Sequence, residues 1–166
     1  MPETLPTLPP KASLIKRLAA MFYDTLLLFG VLFTATLIPS LLLKTAPSVN
    51  QNGDVVHELN PLLSGLSFQA YLLVITIAFF CYFWLRQGQT LGMQAWKLQL
   101  VSRDRGPLSL KQCLLRTFYA SVSIACFGLG YWWQWLDKDT LTWHDRWSNT
   151  EVLQLANNKD KIQPSK

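Results

Sequence analysis

The chain has 166 residues, of which half are hydrophobic and only 15% are charged, with a formal net charge of +5. Soluble domains carry about 25% charged residues, so this composition excludes an ordinary soluble domain and predicts a small integral membrane protein. The basic residues flank apolar segments and therefore indicate membrane orientation. The chain carries no nucleic-acid-binding motif, and no nucleic-acid partner is predicted.

Two apolar segments are long enough to cross a bilayer, which takes about 20 residues. The first covers residues 17–43 and follows a Pro-rich tail, residues 1–13, that we expect to be disordered. It is too long for the apolar core of a signal peptide and is interrupted by Asp24, so we expect it to stay uncleaved. After a loop with an Asn-Gly turn at 52–53, the second span covers residues 66–85.

Two short segments have the alternation of polar and apolar residues that is typical of strands. Trp96, Leu98 and Leu100 alternate with polar residues, and a weaker alternation recurs over 151–155. They predict two short cytoplasmic strands that pair at one membrane face. Two irregular amphipathic stretches are the alternative interpretation.

A third apolar segment, residues 108–136, either crosses the membrane once or enters and returns. The Lys and Arg counts place the N-terminus, the loop after the second span and residues 137–166 in the cytoplasm. Both ends of the third segment then lie on one side, which favours a hairpin. We expect helix 109–125, a bend at the glycines of 126–130, and a returning helix over 131–141 that lies partly in the membrane interface.

The predicted fold is therefore an all-α membrane protein. It has two full transmembrane helices, a C-terminal membrane helix or helical hairpin, and two short cytoplasmic strand-like segments. The membrane domain covers residues 14–155, and a disordered tail covers 156–166. We expect a multi-pass protein of the bacterial cytoplasmic (inner) membrane, with the lipid bilayer as its first partner and both termini in the cytoplasm.

Charged side chains inside the apolar segments are the candidate functional residues. Arg17 and Asp24 share one face of the first span but lie about 10.5 Å apart along its axis, too far for a direct salt bridge. A carboxylate at this depth normally faces other helices and has a partner. In the third segment Gln112, Arg116 and Ser123 form one polar stripe. The stripe is interpreted either as a polar pathway or as a salt bridge that fixes helix register.

Several of these residues occur in four short motifs. The stretch R-x-x-A-x-x-x-D lies at 17–24, and G-Q-T-L-G at 88–92, L-L-R at 114–116 and T-x-H-D-R at 142–146 follow it. In type and order these motifs resemble those of the RDD family of small membrane proteins, which is named for an arginine and two aspartates. The name-giving residues are then Arg17, Asp24 and Asp145, with Gln112, Arg116, His144 and Arg146 as supporting polar residues.

Three residues depart from the family pattern. Met93 stands where a lysine is usual, and Ser148 and Asn149 stand where the family has a small Ala-Gly pair before the last strand. The resemblance implies a compact membrane bundle with both ends cytoplasmic. It also implies that ion or small-solute transport is a candidate activity, since this has been proposed for some members.

Two charge pairs would connect the first span to the C-terminal segments. If the tail returns to the cytoplasmic face, Asp145 can reach Arg17 there. Asp24, deeper in the first span, is then expected to pair with Arg116.

The first functional hypothesis is transport of an ion or small solute, with Asp24 as the key carboxylate. One chain has too few spans to enclose a path, so a homo-oligomer or larger membrane complex is expected. The alternative is a structural or accessory membrane protein that stabilises or recruits a membrane complex.

An enzyme is not expected, because no GxSxG, HExxH or Cys–His arrangement is present. His144 and Asp145 as an acid/base pair are the weaker alternative, since no nucleophile accompanies them. Cys81, Cys113 and Cys126 stand alone in apolar segments, and no metal or cofactor is predicted.

Overall fold

The computed structural model describes residues 9–43, 47–49, 55–57, 63 and 65–156. The chain divides into two compact units, one made of Met1–Thr25 with Phe80–Lys166 and one made of Leu26–Phe79. The Asn-Gly turn predicted at 52–53 and most of both predicted tails lie outside the described residues.

Both predicted membrane spans are single long helices. Helix α1 covers Leu14–Leu42 and helix α2 covers Leu66–Gln87, and each is long and apolar enough to cross a membrane. At 1.5 Å per residue, even the shorter helix spans roughly 33 Å, about the thickness of the hydrocarbon core. Large apolar side chains are exposed along both helices, as expected of surfaces that face lipid.

The Leu26–Phe79 unit contains a short hairpin that the sequence analysis did not predict. Strand β1, Pro47–Val49, pairs antiparallel with strand β2, Val55–His57. In the same unit the hydroxyl of Tyr71 donates to the carbonyl of Ala35 at 3.5 Å.

The larger unit is built on a second antiparallel pair, which confirms the predicted strands and excludes the irregular alternative. After the short helix α3, Leu91–Ala95, strand β3 covers Leu98–Ser102 and pairs with strand β4, Thr150–Gln154. Both edges of this sheet are covered by nearby chain. Lys11 and Ala12 pair with β4, and the amide of Leu100 in β3 donates to the carbonyl of Gly88 at 2.7 Å. Ordered structure therefore begins before residue 14.

The turn into β4 explains one departure from the family pattern. Asn149 has a φ of +53°, in the left-handed region that favours glycine. Asparagine is among the few other residues that adopt this conformation readily. The turn therefore forms with asparagine at the position where the family usually has glycine.

The third apolar segment is a bent pair of helices. Helix α4 covers Leu110–Ala125 and begins with a capping box, in which Ser109 and Gln112 each bond the other's backbone. Helix α5, Leu129–Trp132, continues as one 3₁₀ turn over Trp133–Trp135. The helix axis bends by 107° between α4 and this second arm. Gly128, with a φ of +77°, lies in the bend, at the predicted position.

The predicted length of the second arm is wrong. Regular helix ends at Trp135 instead of continuing to residue 141. Asp137 terminates it, because its carboxylate accepts from the amide of Leu141 at 3.0 Å and so closes a polar turn. Asp side chains commonly compete with helix formation in this way, by bonding to nearby backbone groups. The chain then forms helix α6, Trp143–Trp147, which packs against α4.

Gly130 lies where α5 packs closely against α4. A Cβ atom at this position would collide with the hydroxyl of Ser123 and lie 3.1 Å from the Trp143 ring. We therefore expect Gly130→Ala to destabilise the protein by about 1–3 kcal/mol, since the collision must be relieved by moving packed groups. Unfolding by SDS titration in mixed micelles measures the change.

Gly106→Ala is the matched control, because nothing lies within 4 Å of a Cβ atom there. Equal loss of stability in the two variants would contradict the close approach of α5 to α4.

Candidate functional site

Asp145 is positioned by the start of helix α6. Thr142 is the N-cap residue, and its hydroxyl accepts from the amide of Asp145 at 3.3 Å. In return the Asp145 carboxylate accepts from the amide of Thr142 at 3.3 Å. This reciprocal capping box fixes the carboxylate at a helix N-terminus, where negative charge is favoured. The Asp145 side chain is fully buried.

Two guanidinium groups bind the two oxygens of this carboxylate. Arg17, from α1, donates to Oδ2, and Arg116, from α4, donates to Oδ1 at 2.5 Å. The arginines are only 7% exposed. We call Arg17, Arg116 and Asp145 the charge cluster. It connects residues 128 and 29 positions apart in the chain.

Both arginines also make contacts beyond the Asp145 carboxylate. Arg17 donates from Nε to the carbonyl of Ala12 at 3.2 Å. Arg116 donates to the Thr150 hydroxyl at 2.8 Å and lies over the Trp84 ring at 5.5 Å from its centre. The cluster is therefore a hydrogen-bonded network, which a buried ion pair requires.

The electrostatics of the cluster keep Asp145 ionised. Burial alone would raise the pKa of Asp145, but the guanidiniums of Arg17 and Arg116 outweigh it and hold that pKa well below its usual range. Burial and the charge of Arg116 lower the pKa of the neighbouring His144 to about 3. His144 is consequently neutral near pH 7, and its ring packs against Tyr131 at 4.6 Å between centres.

The predicted pairing of Arg17 with Asp145 is confirmed, whereas the pairing of Asp24 with Arg116 is wrong. Asp24 accepts instead from the Thr90 hydroxyl at 2.5 Å and from the amide of Gly92 at 2.9 Å. Helix α6 brings Asp145 to Arg116, and Asp145 therefore supplies the anion that was expected from Asp24.

The donors to Asp24 belong to the start of α3. Thr90 is the N-cap residue of that helix, and its hydroxyl also accepts from the amide of Met93 at 3.2 Å. A Cβ atom at Gly92 would collide with the carbonyl of Ala20 and lie 2.9 Å from the Asp24 carboxylate. The Gly-Gln-Thr-Leu-Gly motif was therefore the signal for these partners, but its spacing alone could not connect it to α1.

The other predicted polar residues lie at the margins of the cluster. Gln112 donates to the Ser102 hydroxyl at 2.9 Å and to the carbonyl of Asn149 at 3.2 Å, so it connects α4 to the strand ends. Arg146 points away and binds Asp137 at 2.6 Å, with about half of its side chain exposed. Ser123, the third member of the predicted stripe, is fully buried.

The residues that the structure describes contain no group of three or more His, Cys, Asp or Glu that could hold a metal ion. Cys81 and Cys113 are buried free thiols, and Cys126 is partly exposed. The chemistry that the site offers is therefore that of two unlike carboxylates, one neutralised by arginines and one held by neutral donors.

Comparison with known protein families identifies the RDD family. The RDD family model matches residues 11–149, which include the charge cluster and Asp24. No curated protein and no solved structure matches the chain.

Replacing the cluster carboxylate should be more damaging than replacing one arginine. Asp145→Asn leaves two buried guanidiniums without an anion, which costs about 3–5 kcal/mol. Arg17→Gln should cost less, because Arg116 still neutralises Asp145. SDS titration of each variant measures the loss, with exposed Asp139→Asn as the control.

A charge reversal offers a sharper version of this test. Arg17→Asp combined with Asp145→Arg should not restore stability, because it places a guanidinium at position 145 beside Arg116. Full rescue by the reversal would contradict the three-residue cluster and support a simple pair.

Stability should also depend on pH through His144. Its folded pKa of about 3 lies below the unfolded value near 6.5, so the unfolded chain binds the extra proton between these values. Stability contributed by the neutral imidazole is then lost as pH falls from 6.5, by up to about 1.4 kcal/mol per pH unit. The contribution of Asp145, whose folded pKa is depressed, is lost only below about pH 4.

The measurement is the free energy of unfolding between pH 7 and pH 4.5, compared between the wild type and His144→Gln. The variant should have the shallower pH dependence, whatever its absolute stability. Parallel curves for the two proteins would show that His144 is not buried in neutral form.

Proposed function

Because the chain belongs to the RDD family, we propose that it is a multi-pass protein of the bacterial cytoplasmic membrane that moves an ion or small solute. Asp24 is the carboxylate that takes up the transported cation or a coupled proton. One observation carries this proposal. Asp24 is buried in a candidate membrane span, and no Lys or Arg side chain among the described residues pairs with it.

The contrast with Asp145 supports a working role for Asp24. Asp145 has two permanent cations, so it cannot release its charge to a solute without leaving them unpaired. Asp24 has only a hydroxyl and an amide, which are donors that tolerate exchange of a proton or cation. Ionisable residues in membrane spans without a fixed counter-ion typically mark ion or proton pathways.

The pairing of strands supports one membrane topology. Strand β3 precedes the third apolar segment and β4 follows it, and paired strands must lie on the same side of a bilayer. Residues 11–12 also pair with β4, which supports the same side for the start of α1. The Lys and Arg counts favour the cytoplasm as this side. The third segment is then a hairpin rather than a single crossing.

A homo-oligomer supplies the path in this proposal. Two full spans cannot surround a polar route, whereas several copies can enclose one between them. The exposed apolar faces of α1 and α2 provide surface for such contacts within the membrane.

A structural or accessory role is the second candidate, and a specific observation favours it. Both oxygens of Asp24 are occupied by groups at the start of α3. Asp24 would then serve to dock the segment after α2 onto α1, and the protein would stabilise or recruit a membrane complex.

Asp24→Asn separates the two roles. Asparagine retains an acceptor for Thr90 or Gly92 but lacks the charge. The variant should therefore fold, and its cation flux should be at least about tenfold lower than that of the wild type. Flux driven by a pH gradient in proteoliposomes measures the activity, and SDS titration measures folding. Asp139→Asn, an exposed carboxylate outside the spans, is the control.

Two results would contradict transport. One is undiminished flux in the Asp24→Asn variant. The other is absence of flux in well-folded wild type across Na⁺, K⁺ and proton gradients, which would favour the accessory role.

A further inference from the structure

An exposed aromatic surface follows the bend after α4. We call residues 127–136 the return segment. It contains no charged residue, and its side chains are unusually exposed, with Phe127 at 95%, Trp135 at 64% and Leu136 at 78%. An apolar surface of this kind would promote aggregation if it faced water, so lipid or another protein surface must cover it.

The opposite face of the return segment is attached to the protein. Gly130 packs against Ser123 and Trp143, and Gln134 is 5% exposed and donates to the carbonyl of Ala12 at 2.9 Å. Contacts on this inner face therefore fix the return segment to the protein, while its aromatic face points away from the protein.

Helix α4 leads into this surface and has an inverted distribution of side chains. Its exposed side carries Leu110, Leu114, Phe118 and Ile124, spaced along one face. Its buried side carries the polar residues Arg116 and Ser123. Polar residues inside and apolar residues outside are the arrangement of a helix in lipid, where the surroundings offer no hydrogen bonds.

The length of α4 is too small for a full crossing. Sixteen residues extend roughly 24 Å, whereas the hydrocarbon core is about 30 Å thick. The next arm leaves at 107° to α4, so it runs nearly parallel to the membrane plane when α4 lies along the membrane normal.

We propose that α4 is a re-entrant helix and that the return segment lies in the interface of the lipid bilayer, with its aromatic face against the headgroup and upper acyl region. The surface is continuous with the apolar face of α4, which supports the bilayer as its partner. Trp rings favour this zone because their apolar bodies enter the acyl region while their N–H groups remain hydrated. Lys138 follows the segment and can reach lipid phosphates.

The inference depends on the hairpin topology proposed above but not on transport. It specifies the depth and orientation of the third apolar segment, for which the sequence predicted only that the returning arm lies partly in the membrane interface. It also explains why regular helix stops at Trp135, since the chain must leave the interface for the polar turn that begins at Asp137.

Tryptophan quenching in liposomes tests the placement with the full-length chain. Lipids brominated at shallow acyl positions should quench the wild type more strongly than lipids brominated near the chain ends. Replacing Trp132, Trp133 and Trp135 together with Phe should reduce shallow quenching roughly twofold, because the interfacial indole fluorophores are removed while an apolar aromatic ring remains at each position. Trp96→Phe, beside β3, is the control and should leave shallow quenching unchanged.

Two other outcomes would overturn the placement. If the triple variant loses quenching by aqueous acrylamide but keeps wild-type lipid quenching, the return segment lies in water. If it changes neither, the segment is covered by protein, such as a second copy. Should the triple variant not fold, Trp135→Phe alone gives the same comparison at smaller amplitude. Flux is not measured here, so failure of transport and failure of this placement are distinguishable.

Discussion

The carboxylate of Asp145, bound between Arg17 and Arg116, is the interaction on which the larger unit depends. It joins the start of the first membrane helix, the middle of α4 and the first turn of α6. Separating any of these elements would leave a charge buried without its partner, and such a loss is far larger than the loss of an ordinary contact. The capping box at Thr142 adds to this constraint, because it fixes the carboxylate through bonds within the first turn of α6.

The interior of the larger unit combines polar and apolar side chains. Buried Gln89, Thr90, Gln99 and Thr150 accompany the charges, and leucines such as Leu98 and Leu100 are buried in the same unit. Many large apolar side chains are nevertheless exposed on the helices, an arrangement that is stable where lipid covers the outside. The short sheet of β3 and β4 completes the arrangement, since its backbone groups bond to one another, to residue 12 and to Gly88.

The two family aspartates consequently have different physical roles. Asp145 is neutralised and holds three elements together, whereas the hydrogen bonds to Asp24 from the part of the chain that the structure describes come from neutral donors at the start of α3. This difference is the basis for placing the proposed activity at Asp24. It also separates the framework of the site from the group that would exchange its proton or cation.

The sequence by itself determined the features that depend on local composition and on depth. Two apolar runs of sufficient length predicted α1 and α2, alternation predicted β3 and β4, and two glycines predicted the bend before α5. The pairing of Arg17 with Asp145 was also predictable, since only a charge near the same membrane face could reach that arginine. Only the tertiary structure decided the partners of Asp24 and Arg116, the early end of the second arm at Trp135 and the β1–β2 hairpin. The partners of Asp24 and Arg116 lie 66 and 29 positions away in the chain. Such contacts depend on where a loop and a polar turn bring the chain back, and the periodicity of the sequence carries no information about that.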